Sequence, residues 1–377
     1  SKLIDLTFLG DESDNPLTIC ETAFLSCTVL ESVVLPENLV RLEKNAFGST
    51  TKLLTVTILS SGAGTGSVEF SEAAFGSVTT TSSSIPTYYV KNLTIGAKVP
   101  VLNIPSIFGN KITNLEVDPA NENYSAKDSV LYDKSETQII FYPLSKAGAF
   151  TIPSTVTTIP SGVFRDNKGL TSIGIPASVT SIGDFAFYGC SALTSVVFAA
   201  GDAPLTLGGS VFRSCSSLTK FTLPARLAST GTHILASCSK LEKVTVEEGA
   251  KSIGNYAFYS CSKLKEIYLP STLETLGECD EDGNIVSMNV FESSNYIEKI
   301  VVAEGSERFA SQDGILYLVK DGVISDLIVC PAMNGGVEGV ITIPATVTKV
   351  WDKAFYYNKA VAKIVFEESE DKERELT

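Results

Sequence analysis

One position returns through this chain too regularly to leave the fold open. Aligned on the Phe of segments such as "FAFYGCSALTSVVF", the same pattern recurs at Phe24, Phe47, Phe164, Phe187, Phe212, Leu235, Phe258, Phe291 and Phe355, with weaker copies at Phe75 and Phe108. Steps of 23 residues dominate, the step from 187 to 212 is 25, and that from 258 to 291 is 33. Five residues before the anchor stands an aliphatic side chain (Ile19, Leu42, Ile159, Ile182, Leu207, Ile253, Val286, Val350). Six after it stands another (Leu30, Leu53, Leu170, Leu193, Leu218, Leu241, Leu264, Ile297, Val361). From that second position the chain reads L-x-x-V-x-L, the period-two alternation of a half-buried strand. The Leu-Pro that often follows ends the strand, because proline cannot donate to a ladder. A short V-T-x-I-G stretch and a turn complete the unit.

A unit of 23 residues cannot bury its own apolar face, so neighbours must stack and each anchor must land on its counterpart one coil away. The expected fold is a right-handed solenoid of 23-residue coils, a single domain over residues 1–377. Eleven L-x-x-V-x-L strands at about 4.8 Å per step would make a curved parallel sheet roughly 50 Å long.

Three residues after the anchor the chain places Cys27, Cys190, Cys215, Cys238 and Cys261, and elsewhere Thr50, Asn167, Ser294 and Asn358. The slot therefore wants a small residue able to hydrogen-bond backbone at the bend. Stacked coils would bring these cysteines within disulfide range but with parallel Cβ vectors, so buried free thiols are expected. Cys20, Cys279 and Cys330 fall off the repeat.

The string LP-x-x-V-T-x-I-G-x-x-A-F-x-x-C-x-x-L-x-x-V resembles the BspA-like leucine-rich repeats of surface proteins in Bacteroides and relatives. A second mark agrees. "NENYSAKDSVLYDKSETQIIFYP" and "SERFASQDGILYLVKDGVISDLIVCP" resemble the hairpin insertions such proteins carry, near 119–150 and 303–340. In the second, Asp321-Gly322 is a good hairpin turn pair. The resemblance implies export and display at a cell surface, often through an N-terminal lipid anchor. The opening "SKLIDLTFLGDESDN" lacks the basic, apolar, small order of a signal peptide. The expectation is that the export signal has been removed.

A formal net charge of −14 argues against nucleic acid and anionic lipid as partners, and no apolar run is long enough to span a bilayer. The only histidine, His233, sits at a turn and reads as structural. Asp280, Asp282 and Asn284 suggest a calcium loop, but Ile285 and Phe291 stand where such a loop needs Gly and Glu. "GAGTG" at 62–66 lacks a following helix. The Gly/Ser/Thr-rich segment around it reads as a long loop, and the charged tail 367–377 as frayed. No catalytic residue, metal site or cofactor is expected.

What remains is a surface. Outward positions on successive strands read Ser32/Val34, Thr55/Thr57, Ser172/Gly174 and Ser195/Val197, then Lys220/Thr222, Lys243/Thr245, Glu266/Tyr268, Lys299/Val301 and Lys363/Val365. A lysine ladder on an acidic chain, interrupted by Glu266 and flanked by Tyr268, is the expected binding face. The bland alternative is a solvated strand face that discourages edge association. The expected partner is a host or matrix protein. A glycan ligand, which would favour clustered aromatic residues on one face, ranks second, and a structural spacer third.

Overall fold

The structure is a computed structural model describing residues 2–8, 15–59, 68–71, 73–76, 88–281 and 284–368. Most of the Gly/Ser/Thr-rich segment from 60 to 86, the GAGTG motif, Asp282 and the tail from 369 lie outside the described residues. The chain forms two compact units, Ser1–Ala147 and Gly148–Thr377.

In the first unit, Asp5–Thr7, Ser32–Leu35, Thr55–Ile58, Asn92–Ile95 and Asn114–Val117 form one parallel sheet in chain order. A second ladder, Leu17–Ile19, Leu39–Leu42 and Glu69–Phe70, runs behind it. Between the sheets the anchor rings stack flat. Phe24–Phe47, Phe47–Phe75 and Phe75–Phe108 centroids lie 4.9, 5.1 and 4.7 Å apart, so the weaker copies keep the register. At the last, a short helix, Ile104–Phe108, replaces the turn, with Asn103 capping it through Ser106 N–H. The first insertion is an antiparallel sheet of Tyr124–Lys127, Val130–Asp133 and Ile139–Phe141.

The second unit repeats the plan with breaks where the period breaks. Gly148–Thr151, Leu170–Ile175 and Ser195–Phe198 pair as one parallel sheet, and Lys220–Leu223, Lys243–Val246, Glu266–Leu269 and Lys299–Val302 as another. The expected unbroken face is thus segmented. The gap between these sheets falls at the 25-residue step. There the buried Arg226 guanidinium donates to the carbonyls of Val179 (2.6 Å), Ala203 (3.3 Å) and Pro176 (3.2 Å). Flat ring stacking continues from Phe164 through Phe187 to Phe212, at 4.7 and 5.1 Å.

Two expected core positions are corrected. Val286 is 57% exposed and Val350 37% exposed. Leu276, 23 residues after Ile253, pairs with it and fills the inner position instead. The ten surplus residues of the 33-residue step fall after this strand and form a small hairpin, Glu278–Cys279 with Ile285–Ser287, which carries Val286 outward. Near its tip Asp280 accepts from Asn284 N–H (2.7 Å), while Asp282 lies outside the described residues.

The second insertion, Phe309–Gln312, Ile315–Lys320 and Val323–Val329, is antiparallel. Its turn residues Asp321 and Gly322 both have positive φ (52° and 75°), as a tight hairpin turn requires. The last strand docks in parallel on Lys349–Val350, pairing Asp326 with Lys349.

The bend slot has a defined chemistry. The thiols of Cys190, Cys215, Cys238 and Cys261 donate to the carbonyls of Phe164, Phe187, Phe212 and Leu235 at 3.1–3.3 Å, each the anchor of the preceding coil. Ser294 does the same to Phe258 (2.6 Å). All eight cysteines are free. Burial pushes the Cys190 and Cys261 thiols up to about 12, and those of Cys215 and Cys238 well above the ordinary range.

Candidate interaction face

Strand register brings most of the expected face together in the second unit. Lys220 pairs with Lys243, Lys243 with Glu266, and Glu266 with Lys299. Beside them Thr222, Thr245, Tyr268 and Val301 form a second column. Both columns point outward because the alternate residues, Phe221, Val244, Ile267 and Ile300, are buried. Lys363 is elsewhere. Its strand, Lys363–Phe366, pairs with Val340–Ile343 in a separate two-stranded sheet, since the second insertion intervenes after Lys299.

Glu266 is the hub of this face rather than an interruption. Its carboxylate is 3.1 Å from the Lys299 amine and 3.9 Å from that of Lys243, and it accepts the Tyr268 hydroxyl at 3.1 Å. The Lys299 hydrogen bond holds the Glu266 carboxyl below its usual range, and the same bond raises the Lys299 ammonium. Lys243 also lies over the Tyr268 ring, 4.3 Å from its centroid. Three lysines against one glutamate leave the patch positive, with the charges pre-positioned.

The equivalent column in the first unit carries no lysine; it is hydrogen-bonded, with Asp5 its one charged member. Ser32 donates to Asp5 (2.5 Å), Asn92 to Thr55 (3.2 Å) and Asn114 to Asn92 (2.7 Å).

A second surface escaped the sequence reading. Two residues before the anchor, where the backbone is left-handed, the second unit places Phe185 (φ 57°), His233 (φ 60°) and Tyr256 (φ 56°). Bulky residues seldom occupy that region. His233 stacks on Tyr256 at 4.9 Å, and Arg165 lies over Phe185 and Tyr188 at 5.5 and 5.0 Å. Burial and the Arg213 charge lower the His233 pKa. The signal was present as aromatic residues at fixed offsets from the anchor, positions read only as a turn.

Among the described residues no group of three His, Cys, Asp or Glu side chains could hold a metal, and no helix is long and apolar enough to cross a membrane.

Parallel ladders of about 23-residue coils with a buried Phe column define a leucine-rich-repeat solenoid. The chain belongs to the BspA type leucine rich repeat region family, whose pattern matches residues 12–103, 137–203 and 201–308 in six copies. The fold is similar to that of the pneumococcal vaccine antigen PcpA, at TM-score 0.53 and 22% identity over 73% of this chain and 64% of the antigen. It is also similar to a leucine-rich repeat protein from Eubacterium ventriosum, at TM-score 0.50 and 22% identity over 76% of this chain and 77% of that one. The chain thus spans less than two thirds of the pneumococcal antigen. A search of the curated proteins found no match.

Proposed function

We propose that this is an exported, surface-displayed, non-enzymatic binding protein that engages a host or matrix protein through the strand face of its second unit. Family membership supports an interaction role. The observation that carries the location is the aligned column Lys220–Lys243–Glu266–Lys299 beside Tyr268. Its charge is opposite to that of the chain as a whole, and complementary charge steers association.

The test is retention of the full chain on immobilised extracellular-matrix proteins. Changing Lys220, Lys243 and Lys299 together to Glu should weaken binding on the order of tenfold or more, mainly in the association rate, without lowering the melting temperature. Glu266→Gln should act in the opposite direction, because it releases two lysines from their counter-ion. Lys363→Glu, in another sheet, should leave binding intact. Retention by the triple variant equal to wild type, or no matrix protein held by wild type, would overturn the proposal.

A further inference from the structure

Regular coils stack too closely to leave room between them. The second unit departs from the regular step twice after Phe258, through the Glu278–Ser287 hairpin and the second insertion, and both departures border one groove. Its volume is about 920 Å³, within the roughly 300–1,000 Å³ of small-ligand sites. One wall is the coil edge at Ser271–Thr275 and the other is the outer hairpin arm at Leu318–Lys320. The arm stands out because the second insertion is longer than the first. Its central strands have six and seven residues, against four and three in the first.

Trp351, the only tryptophan of the chain, lines the groove half-buried. Its ring is fixed from two sides. The indole N–H donates to Asp326 Oδ2 at 3.2 Å, and the Lys349 amine lies 4.8 Å from the ring centroid. Asp326 is only 2% exposed and is tied to Lys320 at 3.1 Å. An aromatic plate held by a buried carboxylate is pre-organised, which lowers the ordering cost of binding.

The remaining walls choose the ligand class. Lys251 and Glu274 pair at 2.7 Å, and Glu307, Arg308 and Lys349 also line the groove. With the Lys320–Asp326 pair, four basic side chains face three carboxylates, so both signs are present in near balance. An anion would meet Glu274 and Glu307, a cation would meet Lys251 and Lys349, and an apolar molecule would leave both signs desolvated without partners. A peptide added as a further strand needs a sheet edge, and the edge strands at the rim, Thr275–Leu276 and Lys349–Val350, are two residues long. A neutral molecule whose hydroxyls both donate and accept, with an apolar face to lie on an indole, satisfies every wall.

We propose that this groove is a saccharide-binding site for a neutral oligosaccharide, with Trp351 as its stacking platform and Glu307 and Lys349 among its hydroxyl partners. It is a second site, independent of the strand face.

Because Trp351 is alone, intrinsic tryptophan emission of the full chain reports on this groove. Neutral oligosaccharides of glucose, galactose, mannose and N-acetylglucosamine are titrated while emission is followed, with calorimetry in parallel. At least one should give a saturable shift. Trp351→Ala should weaken calorimetric binding about tenfold or more. The double variant Glu307→Ala/Lys349→Ala should weaken it as well with an unchanged melting temperature, since both side chains are exposed. The triple lysine variant of the strand face should bind saccharide normally, which separates this site from that proposal. Silence across the neutral panel, undiminished affinity in both groove variants, or preference for a uronate oligosaccharide or a peptide would overturn the assignment.

Discussion

Phe187→Ala tests the ring column where it is most regular. The ring is fully buried between Phe164 at 4.7 Å and Phe212 at 5.1 Å. Removing it deletes transfer energy and both stacking contacts, and leaves a void. The size of the loss depends on whether the void can close. Here the coil spacing is pinned on both sides, by Phe164 N–H to Ala186 O and Phe187 N–H to Val211 O, each 2.9 Å. Neighbouring coils cannot slide together without breaking those ladders. The cost should therefore reach the top of the range for Phe→Ala, about 4–5 kcal/mol. Phe291→Ala is the internal comparison. That ring is 8% exposed, sits 5.9 Å from Phe258, and borders a cavity of about 60 Å³ beside Cys330 and Pro331. With stacking on one side and room already present, its loss should cost about 3 kcal/mol or less. Urea unfolding followed by far-ultraviolet circular dichroism measures both, with the slope compared because repeat arrays can unfold in stages. Equal losses for the two variants, or a Phe187→Ala loss below about 2 kcal/mol, would refute the argument that the ladders hold the void open.

Three further outcomes rest on the thiol and glycine positions. A folded-state thiol pKa near 12 exceeds the unfolded value near 9, so above pH 9 the unfolded chain releases protons that the folded chain keeps. Unfolding free energy should then fall as pH rises from about 9 towards 12, and Cys190→Ser/Cys261→Ser should flatten that slope. In the native protein a thiol reagent should label Cys20, Cys27 and Cys279 and spare the buried five, which mass spectrometry would read directly. A Cβ at Gly231 would lie 2.6 Å from the Gly209 amide, whereas one at Gly209 meets nothing nearer than 3.6 Å. Gly231→Ala should cost about 1–3 kcal/mol and Gly209→Ala under about 0.5 in thermal unfolding.

The coil was legible in the sequence because its constraints are local and repeated. The anchor, the aliphatic six residues on and the bend slot each face the same neighbour in every turn, so even Phe75 and Phe108 could be placed. Thr230, the exception among the inner aliphatics, is explained only by structure: its hydroxyl accepts Gly254 N–H at 2.8 Å. The misplacement of Val286 has a plain cause. A fixed offset from Phe291 assumes that surplus residues lie outside the unit, and here they lie inside it. Lys363 was joined to the ladder because spacing along the chain does not reveal that the second insertion interrupts the face after Lys299. The groove was invisible for the same reason. A period describes what recurs, whereas the groove is made where recurrence stops, by the docking of Asp326 against Lys349.

The thiol-to-anchor hydrogen bond and the flat Phe stack belong to single coil junctions, and this has a consequence for how such a chain changes length. Removing the complete 23-residue unit 235–257 would set the Phe258 ring against Phe212 and the Cys261 thiol against the Phe212 carbonyl, partners of the same kind as those lost. Smaller changes are carried by the loops, as the 25- and 33-residue steps show with their rings still stacked, so the core itself lengthens or shortens by whole coils. The outward columns are carried along unchanged in register, so a lineage could extend or shorten its binding face one step at a time while the interior stayed the same.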